Sequence, residues 1–165
     1  GSFFQLAPVF GIDKDLGTKK CIGKYVNPVT EGTFAMEDTP NIGESMVENP
    51  GVYCKSANVS VLAANGKTPL ITLNQFGAGK AMYLSSFRVS KESTRFLMRA
   101  LLTLLGKEDK VRDYICDNLY TECAYYEEID KLVVINNSGD TQKTVIKTAK
   151  GDVTVELAPF ATKIL

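Results

Sequence analysis

Two β-hairpin patterns that follow one another along the chain constrain its fold more than any other sequence feature. Residues 59–63 and 69–73 are rich in aliphatic side chains and flank the turn signal Asn65-Gly66. A second pattern joins residues 70–75 to residues 81–86 across a short glycine-containing loop. Because the two patterns share their middle segment, the sequence predicts an antiparallel three-stranded meander.

A long amphipathic helix is predicted directly after the meander. Ser90 is a suitable N-cap residue, and Gly106 stands where a C′ glycine would end a helix that runs to Leu105. Its apolar side chains form one stripe with two further residues beside it: Leu97, Leu101, Leu104 and Leu105, then Phe96 and Ala100.

The segments before the meander predict less regular structure. Residues 3–10 have apolar side chains at helical spacing, and Gly11 is a plausible stop, so we expect a short amphipathic helix there. Proline and glycine interrupt residues 18–51 too often for a long helix, which favours loops and short strands.

The end of the chain predicts a separate all-β module. Residues 107–110 are charged and poorly apolar, so we place a domain boundary there, with domains over residues 1–108 and 109–165. Five short β patterns follow, at residues 124–126, 131–136, 141–149, 153–157 and 161–165. The predicted fold is therefore an α/β (or α+β) unit with antiparallel hairpins and a long helix, followed by a small sandwich-like or half-barrel module.

Composition excludes several classes of function. The 19 basic residues are balanced by 19 acidic ones and are scattered, which argues against nucleic acid as a partner. The chain has no histidine, so no Ser-His-Asp or Cys-His nucleophile can form, and we expect no metal site and no cofactor. No apolar run approaches the roughly 18 residues of a membrane span. Gly1-Ser2 is typical of a cleaved tag, and the apolar residues after it suggest that an upstream region has been removed.

Cysteine usage predicts a cytoplasmic protein. Cys21, Cys54, Cys116 and Cys123 show neither the paired spacing of a zinc ribbon nor a disulfide framework, so we interpret them as ordinary thiols. A bridge between Cys116 and Cys123 is the less favoured alternative. The glycosylation triplets that begin at Asn58 and Asn136 are not expected to be used in that compartment.

Two segments invite an anion-binding interpretation. The loop with Gly77, Gly79 and Lys80 departs from a phosphate loop, because Asn74 replaces the first glycine and a strand follows, so a hairpin turn with two positive-φ glycines is favoured. Arg88, Ser90 and Lys91 stand at the start of the long helix, where free N–H groups attract anions. Many helix starts look alike, so this site remains a minor hypothesis.

Two further groups of residues are candidate carbohydrate sites. Glu127, Glu128 and Asp130 could be taken for a glycosidase acid pair, but solvated charge at a strand end is favoured, since such a pair must flank the sugar. Tyr125 and Tyr126 are the residues on which a saccharide-binding module would have to rely, because the chain lacks tryptophan. No catalytic residue is therefore assigned, and the ligand-binding residues stay unknown.

Several segments resemble the lacto-N-biose (galacto-N-biose) phosphorylases. Residues 3–13 (FFQLAPVFGID) resemble a helix of that family's central domain, and residues 74–85 (NQFGAGKAMYLS) resemble its hairpin. Residues 93–97 and 100–102 are similar to the helix that follows, and residues 133–137 to the C-terminal β module. The resemblance spans nearly the whole chain and rests on structural motifs.

The resemblance implies a parent enzyme of three parts. These are an N-terminal (β/α)8 barrel with the catalytic site, a central domain similar to class I glutamine amidotransferases, and a small C-terminal β domain. Such enzymes cleave β-1,3-galactosyl-N-acetylhexosamines or related β-galactosides with phosphate and release galactose 1-phosphate with inversion. This chain would then be a non-catalytic accessory fragment whose partners are the upstream barrel and, as an alternative, a second copy. A saccharide-binding β module without activity is the other reading.

Overall fold

The chain forms two compact units that meet in sequence between Gly106 and Lys107. The computed structural model describes residues 2–16, 23–48, 50–111 and 113–165. Within these ranges every pairing between strands is antiparallel, so the fold is of the α+β form. The predicted fold class is confirmed: hairpins and one long helix lie in the first unit, and sandwich-like sheets lie in the second.

Unit 1, residues 1–106, contains a two-stranded and a three-stranded sheet. The smaller sheet pairs β1 (Ile12–Lys14) with β2 (Val52–Cys54). The larger one has the order β3-β4-β5 and is the predicted meander, with strands at Ser60–Asn65, Thr68–Phe76 and Gly79–Leu84. Its two turns contain Gly66 and Gly77, each with a φ of 57°. Gly79 instead begins β5, so the expectation of positive φ at both loop glycines is wrong for Gly79.

The first helix, α1 (Ala7–Phe10), is shorter than the predicted segment 3–10. Pro8 therefore falls in the first turn, where its missing N–H costs nothing. The helix ends as predicted at Gly11, whose φ is 67° and whose added Cβ would lie 2.5 Å from Val59 Cγ2. Asn74 donates from Nδ2 to the carbonyl of Val9 at 2.8 Å and so fixes the end of α1 against β4.

The long helix, α2 (Lys91–Leu105), has the predicted caps. Ser90 Oγ accepts from the Ser93 N–H at 3.1 Å, and the Ser90 N–H donates to Ser93 Oγ at 2.8 Å. This reciprocal capping box satisfies two groups that a helix start otherwise leaves open. Gly106 adopts the left-handed conformation at the other end.

The face of α2 that is buried is not the leucine stripe. Phe96 and Ala100 are buried in the main core of unit 1, which they share with residues of β3, β4 and the segment before them. Three of the four stripe leucines are exposed instead, Leu97 by 38%, Leu101 by 52% and Leu105 by 66%, while Leu104 is half-buried. The helix turns this way because Arg95 and Arg99, on the side of Phe96, have acidic partners within unit 1.

Residues 18–51 contain short elements, as far as the structure describes them. Two 3-10 helices occupy Phe34–Met36 and Ile42–Ser45, and Tyr25 forms an isolated bridge with Cys54. Residues 17–22 and 49 lie outside the described ranges. The apolar side chains of the two 3-10 helices join Phe96 in the core, so this irregular segment packs directly against α2.

Unit 2, residues 107–165, contains two three-stranded sheets. Their strands are β6 (Ile115–Cys116), β7 (Thr121–Tyr126), β8 (Lys131–Asn136), β9 (Gln142–Lys147), β10 (Val153–Leu157) and β11 (Thr162–Ile164). The orders are β10-β9-β6 and β11-β8-β7, and buried side chains of both sheets form one cluster. The predicted bounds hold for β8 and β10, whereas β7 begins three residues early and the two-residue β6 was not predicted.

A buried asparagine ties together one end of unit 2. Asn136 Nδ2 donates to the carbonyls of Asp140 at 2.7 Å and Ala158 at 2.9 Å. Its Oδ1 accepts from the N–H of Ser138 at 2.9 Å. The side chain thus satisfies polar backbone groups of the turn after β8 and of the link between β10 and β11, at a position only 1% exposed.

Candidate functional site

A cleft of about 600 Å³ lies in unit 1 at the N-terminal end of α2. One wall comes from the link between the two 3-10 helices, and the other comes from the chain that enters α2. Its lining residues are Asp38, Thr39, Pro40, Asn41, Ile42, Ser45, Arg88, Val89, Ser90 and Glu92. The cleft therefore carries two carboxylates and one guanidinium.

The first carboxylate, Asp38, is held by two arginines of α2. Its Oδ2 lies 2.6 Å from Arg99 Nη2 and 3.3 Å from Arg95 Nη1. Arg99 also pairs with Glu37 at 2.9 Å and lies over the ring of Phe34, 4.5 Å from its centroid. Since the arginine side chains are at least nine-tenths buried, this network fixes the cleft wall to α2.

The second carboxylate, Glu92, occupies the positive end of α2. A hydrogen bond from its own backbone N–H lowers the pKa of the Glu92 carboxyl, and Ser90 and Lys91 add to the effect. Arg88 and Ser90 line the cleft as neighbours of this carboxylate, while Lys91 lies 3.7 Å from Glu92. The chain therefore already places a negative charge where the sequence suggested a bound anion.

The glycine-containing loop is a hairpin turn. Phe76 pairs with Gly79 across it, and Lys80 donates from Nζ to the carbonyl of Thr103 at 3.1 Å. Lys80 thus contacts the last turn of α2, where a cation favours the carbonyl-rich end of the helix.

Glu127 and Glu128, the candidate acids of unit 2, lie in a 3-10 turn, Glu127–Ile129, which Asp130 ends in the left-handed conformation. Asp130 accepts from Tyr125 Oη at 2.7 Å and from Lys150 Nζ at 3.1 Å. The hydrogen bond from Tyr125, followed by that from Lys150, lowers the pKa of the Asp130 carboxyl. It also raises the pKa of the Tyr125 hydroxyl.

The two candidate tyrosines differ in exposure. Tyr125 stacks on Tyr114 with ring centroids 4.1 Å apart and nearly parallel planes, so one of its faces is covered. Tyr126 is 53% exposed on the opposite face of the sheet. The structure does not bring the two rings together on one surface.

The remaining sequence candidates are structural in their surroundings. Cys54 is buried, and burial raises the pKa of its thiol. Cys123 Sγ donates to the carbonyl of Tyr114 at 3.0 Å, and Cys116 is buried in the core of unit 2. Cys21 lies outside the described residues. Asn136 cannot accept a glycan in this fold, because its buried amide donates two hydrogen bonds, whereas Asn58 is exposed.

Sequence reasoning missed a buried carboxylate in unit 1. Asp13 is 3% exposed and accepts from the backbone N–H groups of Phe3, Phe4 and Lys14 at 2.9 to 3.1 Å. Burial raises the pKa of this carboxyl, but the hydrogen bonds outweigh burial, so the net change is a lowering. Residues 11–16 (GIDKDL) hold two acids and a lysine, so no local pattern distinguishes Asp13 as the buried one.

The comparison with known families decides the relationship. The lacto-N-biose phosphorylase central domain matches residues 1–109, and the lacto-N-biose phosphorylase C-terminal domain matches residues 114–165. The chain belongs to the lacto-N-biose phosphorylase family. The resemblance stated from the sequence motifs is thereby confirmed.

Named relatives of this phosphorylase-family chain act on different galactosides. It is 33% identical to the D-galactosyl-β-1→4-L-rhamnose phosphorylase of Lachnoclostridium phytofermentans, over 99% of the chain and 22% of that relative. It is 30% identical to a 1,3-β-galactosyl-N-acetylhexosamine phosphorylase of the same organism, over 92% of the chain and 21% of the relative. It is 28% identical to the 1,3-β-galactosyl-N-acetylhexosamine phosphorylase of Bifidobacterium longum, over 92% of the chain and 24% of that relative.

The phosphorylase-family chain therefore spans about a fifth to a quarter of the length of these relatives. Among its described residues, no helix is both long and apolar enough to cross a membrane. Nor does any group of three or more His, Cys, Asp or Glu side chains in those residues come together as a metal site.

Proposed function

We propose that this chain is a non-catalytic accessory part of a bacterial β-galactoside phosphorylase. The parent enzyme would cleave β-1,3-galactosyl-N-acetylhexosamines, or a related β-galactoside, with phosphate to give galactose 1-phosphate. The chain would support the upstream catalytic barrel or a dimer of it, in the cytoplasm. Family membership and the names of the relatives support the reaction class, and the spacing of the cysteines in the sequence supports the compartment.

The non-catalytic assignment rests on the ion pairs of Asp38 and the lowered pKa of Glu92, the two carboxylates in the cleft. Glycoside cleavage needs one carboxyl that is protonated near neutral pH and a partner across the sugar. Asp38 is paired with two arginines, and Glu92 has a lowered pKa at the helix end. The ion pairs occupy Asp38 Oδ2, and the lowered pKa of Glu92 makes Glu92 a poor general acid. The pKa of Asp130 in unit 2 is lowered as well.

The test is an assay of the isolated chain with phosphate and two substrates, a β-1,3-galactosyl-N-acetylhexosamine and β-1,4-galactosyl-rhamnose. We expect no release of galactose 1-phosphate from either substrate, under conditions in which one of the full-length relatives turns over. Turnover that is abolished by Asp38→Asn or Glu92→Gln, but kept by Glu31→Gln, would overturn the non-catalytic assignment.

A saccharide-binding module is the second candidate, and the exposed ring of Tyr126 is the observation that favours it. Titration of the isolated chain with the same two galactosides separates the candidates. Saturable binding that Tyr126→Ala removes and Thr154→Ala keeps would support direct binding and contradict a purely accessory role. Absence of binding up to millimolar sugar supports the accessory role.

A further inference from the structure

The two outer faces of the unit 2 sheets differ in character. In the sheet β11-β8-β7 the register places Ala124, Val133 and Ile164 in one row across all three strands. Tyr126 lies two residues after Ala124, and Ile135 lies two residues after Val133. Side chains two residues apart in a strand share a face, so both lie on the same face as this row. We call these five residues the apolar strip.

The apolar strip is exposed although its members are apolar. Ile164 is 64% exposed, Tyr126 53% and Ile135 37%, whereas the alternate residues Leu132 and Val134 are buried in the core of unit 2. The residues of this face that could bind water lie at its ends: Glu122 and Thr162 beside Ile135, and Lys131 beside Tyr126.

The opposite sheet, β10-β9-β6, shows the face that a solvated sheet presents. Its outward residues include Lys143, Lys147, Thr154 and Glu156, all exposed. The inward residues of both sheets meet in one core, so the two outer faces belong to the same small module. The outward apolar residues of this sheet are the half-buried Ile115 and Val145, against five in the apolar strip, so the apolar strip is the outer face better suited to an apolar contact.

The size of the strip decides what covers it. A stable complex between separate proteins buries about 800 Å² and about 20 to 30 residues on each side, far more than five side chains provide. A covalently attached neighbour needs much less, because the tether holds it at a high effective concentration. Relatives are four to five times as long as this chain, so most of such a polypeptide lies outside these 165 residues.

A sugar ring is a poor occupant for the same surface. Saccharide recognition combines an aromatic face with polar groups that converge on the hydroxyls. Around Tyr126 the strip offers Ala124 and Val133 on the neighbouring row, and Lys131 is its cross-strand neighbour. Such a surface suits aliphatic side chains of another protein segment.

We propose that the apolar strip is the docking surface of unit 2 for the remainder of the full-length phosphorylase polypeptide, which covers it with aliphatic and aromatic side chains. This proposal rests on the proposed function, since it requires that the chain works as part of a larger phosphorylase. It goes further by assigning one face of one sheet to that contact.

Hydroxyl-radical footprinting of the isolated chain and of the full-length polypeptide tests the proposal. We expect labelling of Tyr126, Ile135 and Ile164 to fall at least fivefold in the full-length protein, while labelling of Val145 on the opposite outer face stays within twofold. Equal labelling of the strip in both proteins would overturn the proposal. So would protection in the isolated chain that grows with its concentration, which indicates a second copy, or that appears on adding galactoside.

A pair of matched variants gives a second readout. Ile164→Lys on edge strand β11 and Thr154→Lys on edge strand β10 both place a lysine at an exposed outward position. Both should unfold like the wild type in the isolated chain. In the full-length protein, Ile164→Lys should speed amide exchange in residues 121–136 at least tenfold, and Thr154→Lys should not; equal effects would contradict the proposal. A catalytically active isolated chain would instead defeat the proposed function, whatever the footprint shows.

Discussion

Beside its apolar core, unit 1 fixes irregular segments with ion pairs and a buried carboxylate, whereas unit 2 fixes one end of its sheets with a buried amide. In unit 1, Asp38 joins the cleft wall to α2 through Arg95 and Arg99, and Asp13 collects the backbone N–H groups of the first residues. In unit 2, the side chain of Asn136 bonds several backbone groups at the end of the sandwich-like sheets. The difference teaches that the two units should respond differently to acid and to loss of a single side chain.

The largest expected effect is in unit 1. Arg99→Met keeps the apolar stem but leaves Asp38 with only the longer contact to Arg95, so the free energy of unfolding should fall by about 3 to 5 kcal/mol. Urea unfolding measures the loss, and amide exchange in residues 91–105 locates it. Arg88→Met, at an exposed arginine, should change stability by less than about 0.5 kcal/mol. Similar losses in both variants would show that the ion network is not what stabilises the cleft wall.

Asn136→Ala tests how much the buried amide of Asn136 contributes to the stability of unit 2. It leaves the Ala158 carbonyl and the Ser138 N–H without this partner, while the Asp140 carbonyl keeps its hydrogen bond from Ser138 Oγ. The substitution should cost about 2 to 3 kcal/mol. The loss should be the same at pH 5 and pH 8, because no titrating group is involved. Asn137→Ala, at an exposed neighbour, is the matched control. A loss that depends on pH over this range would break the contrast between the units.

Two glycine variants of unit 1 separate the energetic cost of a steric clash from the cost of a left-handed backbone conformation. Gly11 and Gly66 both have positive φ, but only an added Cβ at Gly11 would meet other atoms, with Val59 at 2.5 Å. Gly66→Ala should therefore cost about 1 kcal/mol for the left-handed conformation alone, and Gly11→Ala about 2 kcal/mol. Thermal unfolding of both variants gives the difference. Equal costs would mean that the side chains of Val59 and Asn74 move aside without penalty.

The smallest expected effect is the response of unit 1 to acid. The folded pKa of Asp13 lies below its ordinary value of 3.8, so its contribution to stability is present above that pH and is lost as pH falls through the folded pKa. Asp13→Asn should cost about 1 kcal/mol at pH 7 and less at pH 3. Urea unfolding at both pH values checks this, with the exposed Glu31→Gln as control. A cost that grows toward pH 3 would contradict the assignment.

Much of the fold follows from local sequence patterns. Alternation and the Asn65-Gly66 turn predict the meander, and Ser90 and Gly106 set the ends of α2, because these signals act over a few residues. The orientation of α2 about its axis does not follow from local patterns. Arg99 pairs with Asp38, which lies 61 positions earlier in the chain, and this contact buries a side of α2 that periodicity alone would expose to solvent. The assignment of residues 1–108 to an amidotransferase-like domain stays a prediction.

The candidate site was predictable only in part. Arg88 and Ser90 were recognised as residues at a helix start, and they do line the cleft. The opposite wall, with Asp38 and Thr39, comes from an irregular segment about fifty residues earlier, and no short-range pattern connects the two. The placement of Glu92 at the positive end of α2 follows from the sequence, because acidic residues are commonly found in the first turn of a helix.

The meander of unit 1 also bears on the order in which the chain acquires structure. Its three strands are consecutive in sequence, and both loops between them are two residues long. The ladder between β6 and β9, in contrast, pairs Cys116 with Ile146 and closes a loop about thirty residues long. Short loops close with a smaller loss of chain entropy than long ones. A ribosome that has released residues 60–84 has therefore already delivered all three strands of the meander, whereas the sheet β10-β9-β6 lacks its last strand until residue 157 has emerged.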